Sequence, residues 1–292
     1  MLRPNSLLNI AVLLTGAIRH AVAGTPSAGC GKAPKLVTPA AASTPLTLTS
    51  GGKTRQFFVK LPDNYDNAHQ YRLIFTLHAL GGNGQQVTVG QGGYLPWYGL
   101  PPLVNDTIGA IYISPTGLNS GWWNTGGSDV TFIKDVLKAV EDDLCVDQNL
   151  RFSTGFSHGA AMSFILACAL GKDLRAVAVL SGNPQISGSC PGGTEPVAYY
   201  GQHGVHDSVL PIAGGRQMRD RFLKNNGCAA KEAPEPAQGS GTHIKTVYDG
   251  CSAGHPVTWV AFDGDHTPQP KDKGAATTFS ATNTWEFFSQ FT

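Results

Sequence analysis

The chain has 292 residues, with 21 Lys and Arg against 20 Asp and Glu, so its formal net charge is +1. Near-neutral charge and scattered basic residues argue against nucleic acid or an anionic membrane as a partner. The length after residue 23 suits one large α/β domain or two small ones, and no linker, low-complexity tract or repeat divides it. We therefore expect a single domain over residues 24–292, and a monomer.

The first 23 residues have the features of a secretory signal peptide. Arg3 supplies the positive start, residues 7–18 are apolar, and Ala21-Val22-Ala23 is a small-residue cleavage site. The apolar stretch is too short to span a bilayer, and a buried N-terminal helix is the alternative. We expect a secreted, extracellular protein. Asn105 begins the one N-glycosylation sequon, which fits this route.

Six cysteines follow the signal segment. An even number of cysteines in a secreted chain predicts up to three disulfides, and six cysteines allow fifteen pairings. Cys228–Cys251 is the pair we favour, because both residues flank a glycine-rich stretch. None of the cysteines has the C-x-x-C spacing of a zinc site, a catalytic cysteine is not expected, and we expect no metal or cofactor. The six are Cys30, Cys145, Cys168, Cys190, Cys228 and Cys251.

Apolar, β-branched runs alternate with helix-forming stretches along the chain. Strands are predicted at residues 56–61, 72–77, 110–114, 151–154, 176–180, 197–200 and 256–262. Helices are predicted from Asp129, as N-cap, to Leu144, at residues 160–170 and 215–224, and from Thr282 onward. This alternation predicts an α/β fold with a mostly parallel sheet, helices on both faces, and ligands beyond the carboxyl ends of the strands.

A G-x-S-x-G pentapeptide, Gly155-Phe156-Ser157-His158-Gly159, lies between a predicted strand and a predicted helix. In α/β-hydrolases this context forms a strained turn that exposes the serine hydroxyl. A second match at residues 250–254 is followed closely by Pro256, so no helix begins there. Ser157 is therefore the predicted nucleophile.

Candidates for the acid and the base follow at two later strand ends, in the order Ser, acid, His that this fold uses. Asp207 comes after the strand at 197–200, and His266 comes after the strand at 256–262. A neutral imidazole at His266 can take the proton of the Ser157 hydroxyl. Asp207 would hold the imidazole tautomer and stabilise the imidazolium that forms.

Neighbouring residues are rival candidates for these roles. Asp263 and Asp265 are alternative acids, but they lie too close along the chain to reach under the predicted base. His203 and His206 are alternative bases, although their position directly before the candidate acid suggests loop structure. A turn role for the candidate acid itself is a further alternative, because Asp side chains bond their own backbone in turns.

Two backbone amides are predicted as oxyanion donors: that of His158, directly after the nucleophile, and that of Leu80, in the loop after an early strand. The side chains of His78 and His158 are expected to be structural. Trp122 and Trp123 lie in a glycine-rich loop and predict an aromatic platform for a planar acyl group or a sugar. Core packing is the alternative for this pair.

Taken together, these motifs resemble those of fungal secreted feruloyl esterases, an esterase group related to polyhydroxybutyrate depolymerases. The resemblance covers essentially the whole mature chain. It implies an α/β-hydrolase that releases ferulic and related hydroxycinnamic acids from arabinoxylan and pectin side chains, with Ser157 as nucleophile, Asp207 as acid and His266 as base. The motifs that carry it are HALGG at 78–82, GWWNTGG at 121–127, GFSHG at 155–159, HGVHD at 203–207 and DGDHTP at 263–268.

Two positions depart from the family's pattern. Ala79 stands where glycine is usual, and His158 stands where tyrosine is common. Both leave the amide donors in place, so they bear on substrate preference more than on activity. Because such a triad does not encode the acyl group, an acetylxylan esterase or a polyhydroxybutyrate or polyester depolymerase is the alternative. An inactive hydrolase fold that serves as a binding module is a remote alternative.

Overall fold

The computed structural model describes residues 24–37, 44–190 and 192–292, so the predicted signal peptide lies outside the described residues. Nine strands are present: β1 (Leu46–Ser50), β2 (Lys53–Lys60), β3 (Tyr71–Leu77), β4 (Ala110–Pro115), β5 (Val146–Phe156), β6 (Ala176–Leu180), β7 (Ala198–Gly204), β8 (His243–Val247) and β9 (Val257–Phe262). Five α-helices accompany them: α1 (Gly84–Val89), α2 (Ser128–Asp143), α3 (His158–Ala169), α4 (Ile212–Asn225) and α5 (Phe279–Ser289).

The strands form one sheet in the order β1-β2-β4-β3-β5-β6-β7-β9-β8. The six strands from β4 to β9 along this order are parallel, and β1, β2 and β8 are antiparallel additions at the two edges. The predicted mostly parallel sheet is therefore confirmed. Its parallel strands place all their carboxyl ends along one edge, where the candidate site lies.

Two buried clusters cover the two faces of the sheet. In β3, Leu73 and Phe75 belong to one cluster and Ile74 belongs to the other, as the two-residue period of a strand requires. Apolar residues of α2, α3 and α4 complete the first cluster, and those of α1 and α5 complete the second. Helices therefore lie on both faces, as predicted.

Every predicted strand and helix is present, but the start of α2 differs from the prediction. The helix begins at Ser128, so Asp129 lies inside its first turn and is not the N-cap. The Asp129 carboxylate instead pairs with buried Arg55 at 2.7 Å. The Asn124 side chain performs the capping, because its Oδ1 accepts hydrogen bonds from the amides of Asp129 and Val130 at 3.1 Å.

Three disulfides fasten the loops to the sheet and helices. The favoured pairing Cys228–Cys251 is confirmed, and the other bonds are Cys30–Cys145 and Cys168–Cys190.

Among the helices of the described ranges, none combines the length and the apolar character that a membrane crossing needs.

Candidate active site

Ser157 occupies the tight turn between β5 and α3. Its backbone has φ 57° and ψ −117°, a conformation that costs a non-glycine residue about 1–3 kcal/mol and that surrounding structure must hold. The Ser157 amide donates to the Leu180 carbonyl at the end of β6, at 2.9 Å. The turn therefore places the serine at the carboxyl edge of the sheet, as the G-x-S-x-G pattern predicts.

The two glycines of the pentapeptide permit this turn through close backbone approach. A Cβ atom on Gly159 would lie 2.2 Å from the carbonyl oxygen of Leu77 at the end of β3. A Cβ atom on Gly155 would lie 2.4 Å from the carbonyl carbon of Gly159. Real Cβ atoms do not tolerate such distances, so both positions require glycine for α3 to pack against the strands.

Asp207 and His266 meet at the same edge. Asp207 follows β7, His266 follows β9, and the Nδ1–H of His266 donates to Asp207 Oδ2 at 2.7 Å. This bond fixes the imidazole tautomer and leaves Nε2 as the basic nitrogen. The His266 ring packs on Phe156, with 4.5 Å between ring centroids, which brings the imidazole beside the turn that carries Ser157.

The Asp207 carboxylate is held in its charged form. Its burial acts to raise the pKa, but hydrogen bonds from His203, His266 and the Leu210 amide outweigh burial and bring the pKa below its usual range. The His203 contact was not foreseen in this role. Its Nε2 lies 2.7 Å from the Leu210 carbonyl and 3.2 Å from Asp207 Oδ2, so this buried imidazole supports the acid.

Asp263 and Asp265, the alternative acids, and His206, an alternative base, have other partners. Asp265 accepts hydrogen bonds from the amide and hydroxyl of Ser208. Asp263 accepts from the Gly241 amide at 2.7 Å and lies 3.4 Å from His206 Nε2. The observed geometry therefore supports the Asp207–His266 pair as the acid and base.

The loop after β3 presents the amide of Leu80. The amides on either side are occupied, since Ala79 donates to Tyr94 Oη and Gly81 donates to the Ser120 carbonyl, both at 2.7 Å. Between them, the Leu80 amide makes no hydrogen bond to any part of the chain that the structure describes. A free amide at this position is what an oxyanion donor requires.

His158 carries the second predicted donor, and its amide lies at the first position of α3, where a helix leaves the N–H without an internal partner. Its imidazole has a different task. Nδ1 accepts from the Trp122 amide at 3.3 Å and Nε2 donates to the Ile186 carbonyl at 2.9 Å. Burial lowers the pKa of His158, so the ring stays neutral and both bonds are retained.

The two tryptophans have different environments. Trp122 is completely buried, and its Nε1 donates to the His78 carbonyl at 2.8 Å, so the core-packing alternative applies to it and not the substrate platform. Trp123 is 50% exposed and packs edge-on against His158, with 4.9 Å between ring centroids. Leu80 and Val209, on loops at the same edge, are 57% and 61% exposed. We refer to these three exposed apolar side chains as the apolar rim.

Sequence reasoning missed two tyrosines that hold this edge together. The hydroxyl of buried Tyr98 donates to the Leu77 carbonyl at 2.6 Å and accepts from the Phe156 amide at 2.9 Å, which joins the ends of β3 and β5. Tyr94 packs against Tyr98 and holds the Ala79 amide. No motif or periodicity marks either residue.

The glycosylation candidate lies away from this site. Asn105 is exposed on the loop that leads into the amino end of β4, at the opposite edge of the sheet. Its modification stays a prediction.

A doubly covered, mostly parallel sheet with a serine turn after β5 and an Asp–His pair beyond β7 and β9 defines an α/β-hydrolase. No protein-family model matches the chain. Feruloyl esterase D of Neurospora crassa is 47% identical over 289 residues, which cover 98% of this chain and 97% of the relative. Feruloyl esterase C of Emericella nidulans is 46% identical, covering 91% and 92%. The chain belongs to this family of fungal feruloyl esterases.

Solved structures share the fold at low sequence identity. A ferulic acid esterase of Anaeromyces mucronatus, solved in complex with ferulic acid, has a TM-score of 0.58 and 14% identity, covering 85% of this chain and 89% of its own. An acetyl xylan esterase from Aspergillus awamori has the same TM-score and 16% identity, covering 84% and 99%. The fold alone therefore does not select the acyl group.

Proposed function

We propose that this protein is an extracellular serine esterase that hydrolyses feruloyl and related hydroxycinnamoyl esters on plant cell-wall polysaccharides such as arabinoxylan. The observation that carries the proposal is the 2.7 Å bond between Asp207 and His266 beside the Ser157 turn. Relatives named feruloyl esterase over nearly the whole chain support the acyl class. Three disulfides, which persist in oxidising compartments, support secretion.

The reaction proceeds through an acyl-enzyme. Ser157 Oγ attacks the ester carbonyl carbon while His266 Nε2 takes its proton, and Asp207 stabilises the imidazolium that forms. The amides of Leu80 and His158 donate to the oxyanion of the tetrahedral intermediate. His266 then protonates the leaving sugar oxygen, which leaves the ferulate on Ser157. A water molecule, deprotonated by the same imidazole, hydrolyses the acyl-enzyme and restores the serine.

The apolar rim supports a bulky acyl group over acetate. Leu80, Trp123 and Val209 lie on loops that follow three different strands of the carboxyl edge, and each is at least half exposed. Exposed large apolar side chains at a site mark a binding surface for apolar ligands. A phenylpropenoyl group offers an apolar face to such a rim, whereas an acetyl group offers one methyl.

The test compares hydrolysis of methyl ferulate with hydrolysis of p-nitrophenyl acetate by the secreted protein. We expect efficient ferulate release, and a loss of about 10³-fold or more in kcat in Ser157→Ala with folding intact by circular dichroism. Acetate hydrolysis without ferulate release would move the assignment to an acetylxylan or polyester esterase. If the protein hydrolyses neither ester, the remaining interpretation is an inactive hydrolase fold that serves as a binding module.

A further inference from the structure

A cavity of about 620 Å³ adjoins Trp123. It lies between the loop at residues 124–127 and the segment at residues 188–190, and its floor includes residues of α2 and α3. None of the lining residues that the structure describes is charged. The polar groups are the neutral side chains of Asn124, Thr125, Thr131 and Ser189, together with exposed glycine backbone.

The segments that form the two walls are bonded, just before each wall begins, to the residue that follows the nucleophile. The His158 imidazole accepts from the amide of Trp122, directly before Trp123, and donates to the carbonyl of Ile186, two residues before Gly188, at 3.3 and 2.9 Å. Ser187 Oγ also donates to the His158 carbonyl at 3.3 Å. The cavity therefore has a fixed position relative to Ser157.

The walls are also preorganised. The Cys168–Cys190 disulfide ties the 188–190 segment to the end of α3. The Asn124 side chain caps α2 and so fixes the opposite loop. A site whose walls are fixed before binding loses less entropy when a ligand enters.

Trp123 belongs both to the apolar rim and to the lining of the cavity. Its Nε1 and Leu80 Cδ1 lie 2.9 and 3.0 Å from the position that a Cβ atom would take on Gly121, so one edge of the indole faces the rim. The same side chain lines the cavity. A ligand that spans both places would have its apolar part at the rim and its polar part in the cavity.

The chemistry of the lining selects a class of ligand. Neutral hydroxyl and amide groups beside an aromatic side chain suit an uncharged carbohydrate, which presents hydroxyls and apolar C–H faces. A second cavity, of about 740 Å³ at the amino ends of β3 and β4, has charged groups in its lining, including Lys60, Asp63 and Asp106. Its charges and its distance along the strands from Ser157 make it unsuited to the sugar of the same ester.

We propose that the cavity beside Trp123 binds the neutral pentose oligosaccharide that carries the feruloyl group, on the sugar side of the scissile ester. This inference rests on the proposed function. The sugar units lie against Trp123 and exchange hydrogen bonds with Thr131 and Ser189, while the feruloyl group occupies the rim. The cavity thus contributes to binding of the polymer and not to the acyl chemistry.

Substitutions that fill the cavity and leave the catalytic residues unchanged test this proposal. In Ser189→Trp we expect kcat/KM for a feruloylated arabinoxylo-oligosaccharide to fall about tenfold through KM, since a tenfold change corresponds to about 1.4 kcal/mol of binding. Hydrolysis of methyl ferulate, which has no sugar, should be unchanged. Thr131→Trp fills the cavity from α2 and should behave in the same way. Thr49→Trp, at an exposed position of β1, is the matched control and should behave as wild type.

Three results would overturn the inference. Equal kcat/KM on the oligosaccharide in wild type and both cavity variants would reject the cavity as the sugar site while the proposed function stands. An equal loss on methyl ferulate and on the oligosaccharide would show damage to the catalytic site instead. A wild-type protein that hydrolyses neither substrate would reject the proposed function and this inference together.

Discussion

The hydroxyl of Tyr98 makes two hydrogen bonds that link the predicted oxyanion loop to the nucleophile turn. It contacts Leu77, three residues before Leu80, and Phe156, directly before Ser157. Burial raises the pKa of Tyr98 well above its ordinary value, so the hydroxyl keeps its proton and both bonds. Its backbone has φ 60°, in the left-handed region that side chains rarely adopt. Tyr98 is therefore a positioning residue for this edge.

Removing this hydroxyl should impair catalysis more than binding. In Tyr98→Phe the Leu77 carbonyl and the Phe156 amide lose a buried partner, which should cost about 2 kcal/mol of the free energy of unfolding. Because the two predicted oxyanion amides are then less well fixed, we expect kcat for methyl ferulate to fall about tenfold or more, with KM within about twofold. Steady-state kinetics well below the melting temperature measure both constants.

Tyr112→Phe is the matched control for this variant. The Tyr112 hydroxyl is also buried, and it makes no hydrogen bond within the ranges that the structure describes. Its removal should leave kcat and stability near wild type. Wild-type kcat in Tyr98→Phe, or an equal loss of kcat in both variants, would contradict the positioning role.

The candidate catalytic residues that the sequence predicts are those with local signals. Ser157, Asp207 and His266 each follow a recognisable strand, and the chain order Ser, acid, base is readable without coordinates. Tyr98 carries no such signal, because its partners lie 21 and 58 positions away. The difference between Trp122 and Trp123 was equally hidden, since adjacent loop residues give no periodicity that separates buried from exposed.

Among the secondary-structure elements, the central ones were predictable and the peripheral ones were not. Strands β3, β4 and β6 are buried along their whole length and appear in the sequence as predominantly apolar runs. Edge strands β1 and β8 are partly exposed and only five residues long, and α1 has six residues. Such short, half-polar segments resemble loops. The start of α2 was misplaced because its cap comes from the preceding loop, through Asn124.

Buried neutral histidines couple the free energy of unfolding to pH. Burial lowers the pKa of His78 to about 4. Its Nε2 accepts from the Gly117 amide at 2.9 Å and its Nδ1 donates to the Ala79 carbonyl at 2.7 Å, an arrangement that requires the neutral ring. The unfolded chain takes up a proton near pH 6.5, whereas the folded chain resists it until about pH 4. The stability that His78 contributes is therefore complete above pH 6.5 and decreases as the pH falls toward 4.

We expect the free energy of unfolding to decrease between pH 7 and pH 4, with a contribution of about 3 kcal/mol from His78. His78→Gln should be less stable than wild type at pH 7, because it loses part of the hydrogen bonding. Its stability should fall less over this pH range, since it no longer carries the titrating group. Denaturant unfolding at pH 7, 5.5 and 4 measures both slopes. Identical slopes in the two proteins would contradict the role of His78.

Covalent labelling shows whether Ser157 is the nucleophile that His266 activates. A phosphonate ester that reacts only with activated serines should label the secreted protein once per chain, and peptide mass mapping should place the label on Ser157. Labelling should be lost in Ser157→Ala and strongly slowed in His266→Ala. The second pentapeptide, with Ser252, should remain unmodified. A label on Ser252, or stoichiometric labelling of Ser157→Ala, would show that Ser157 is not the activated nucleophile.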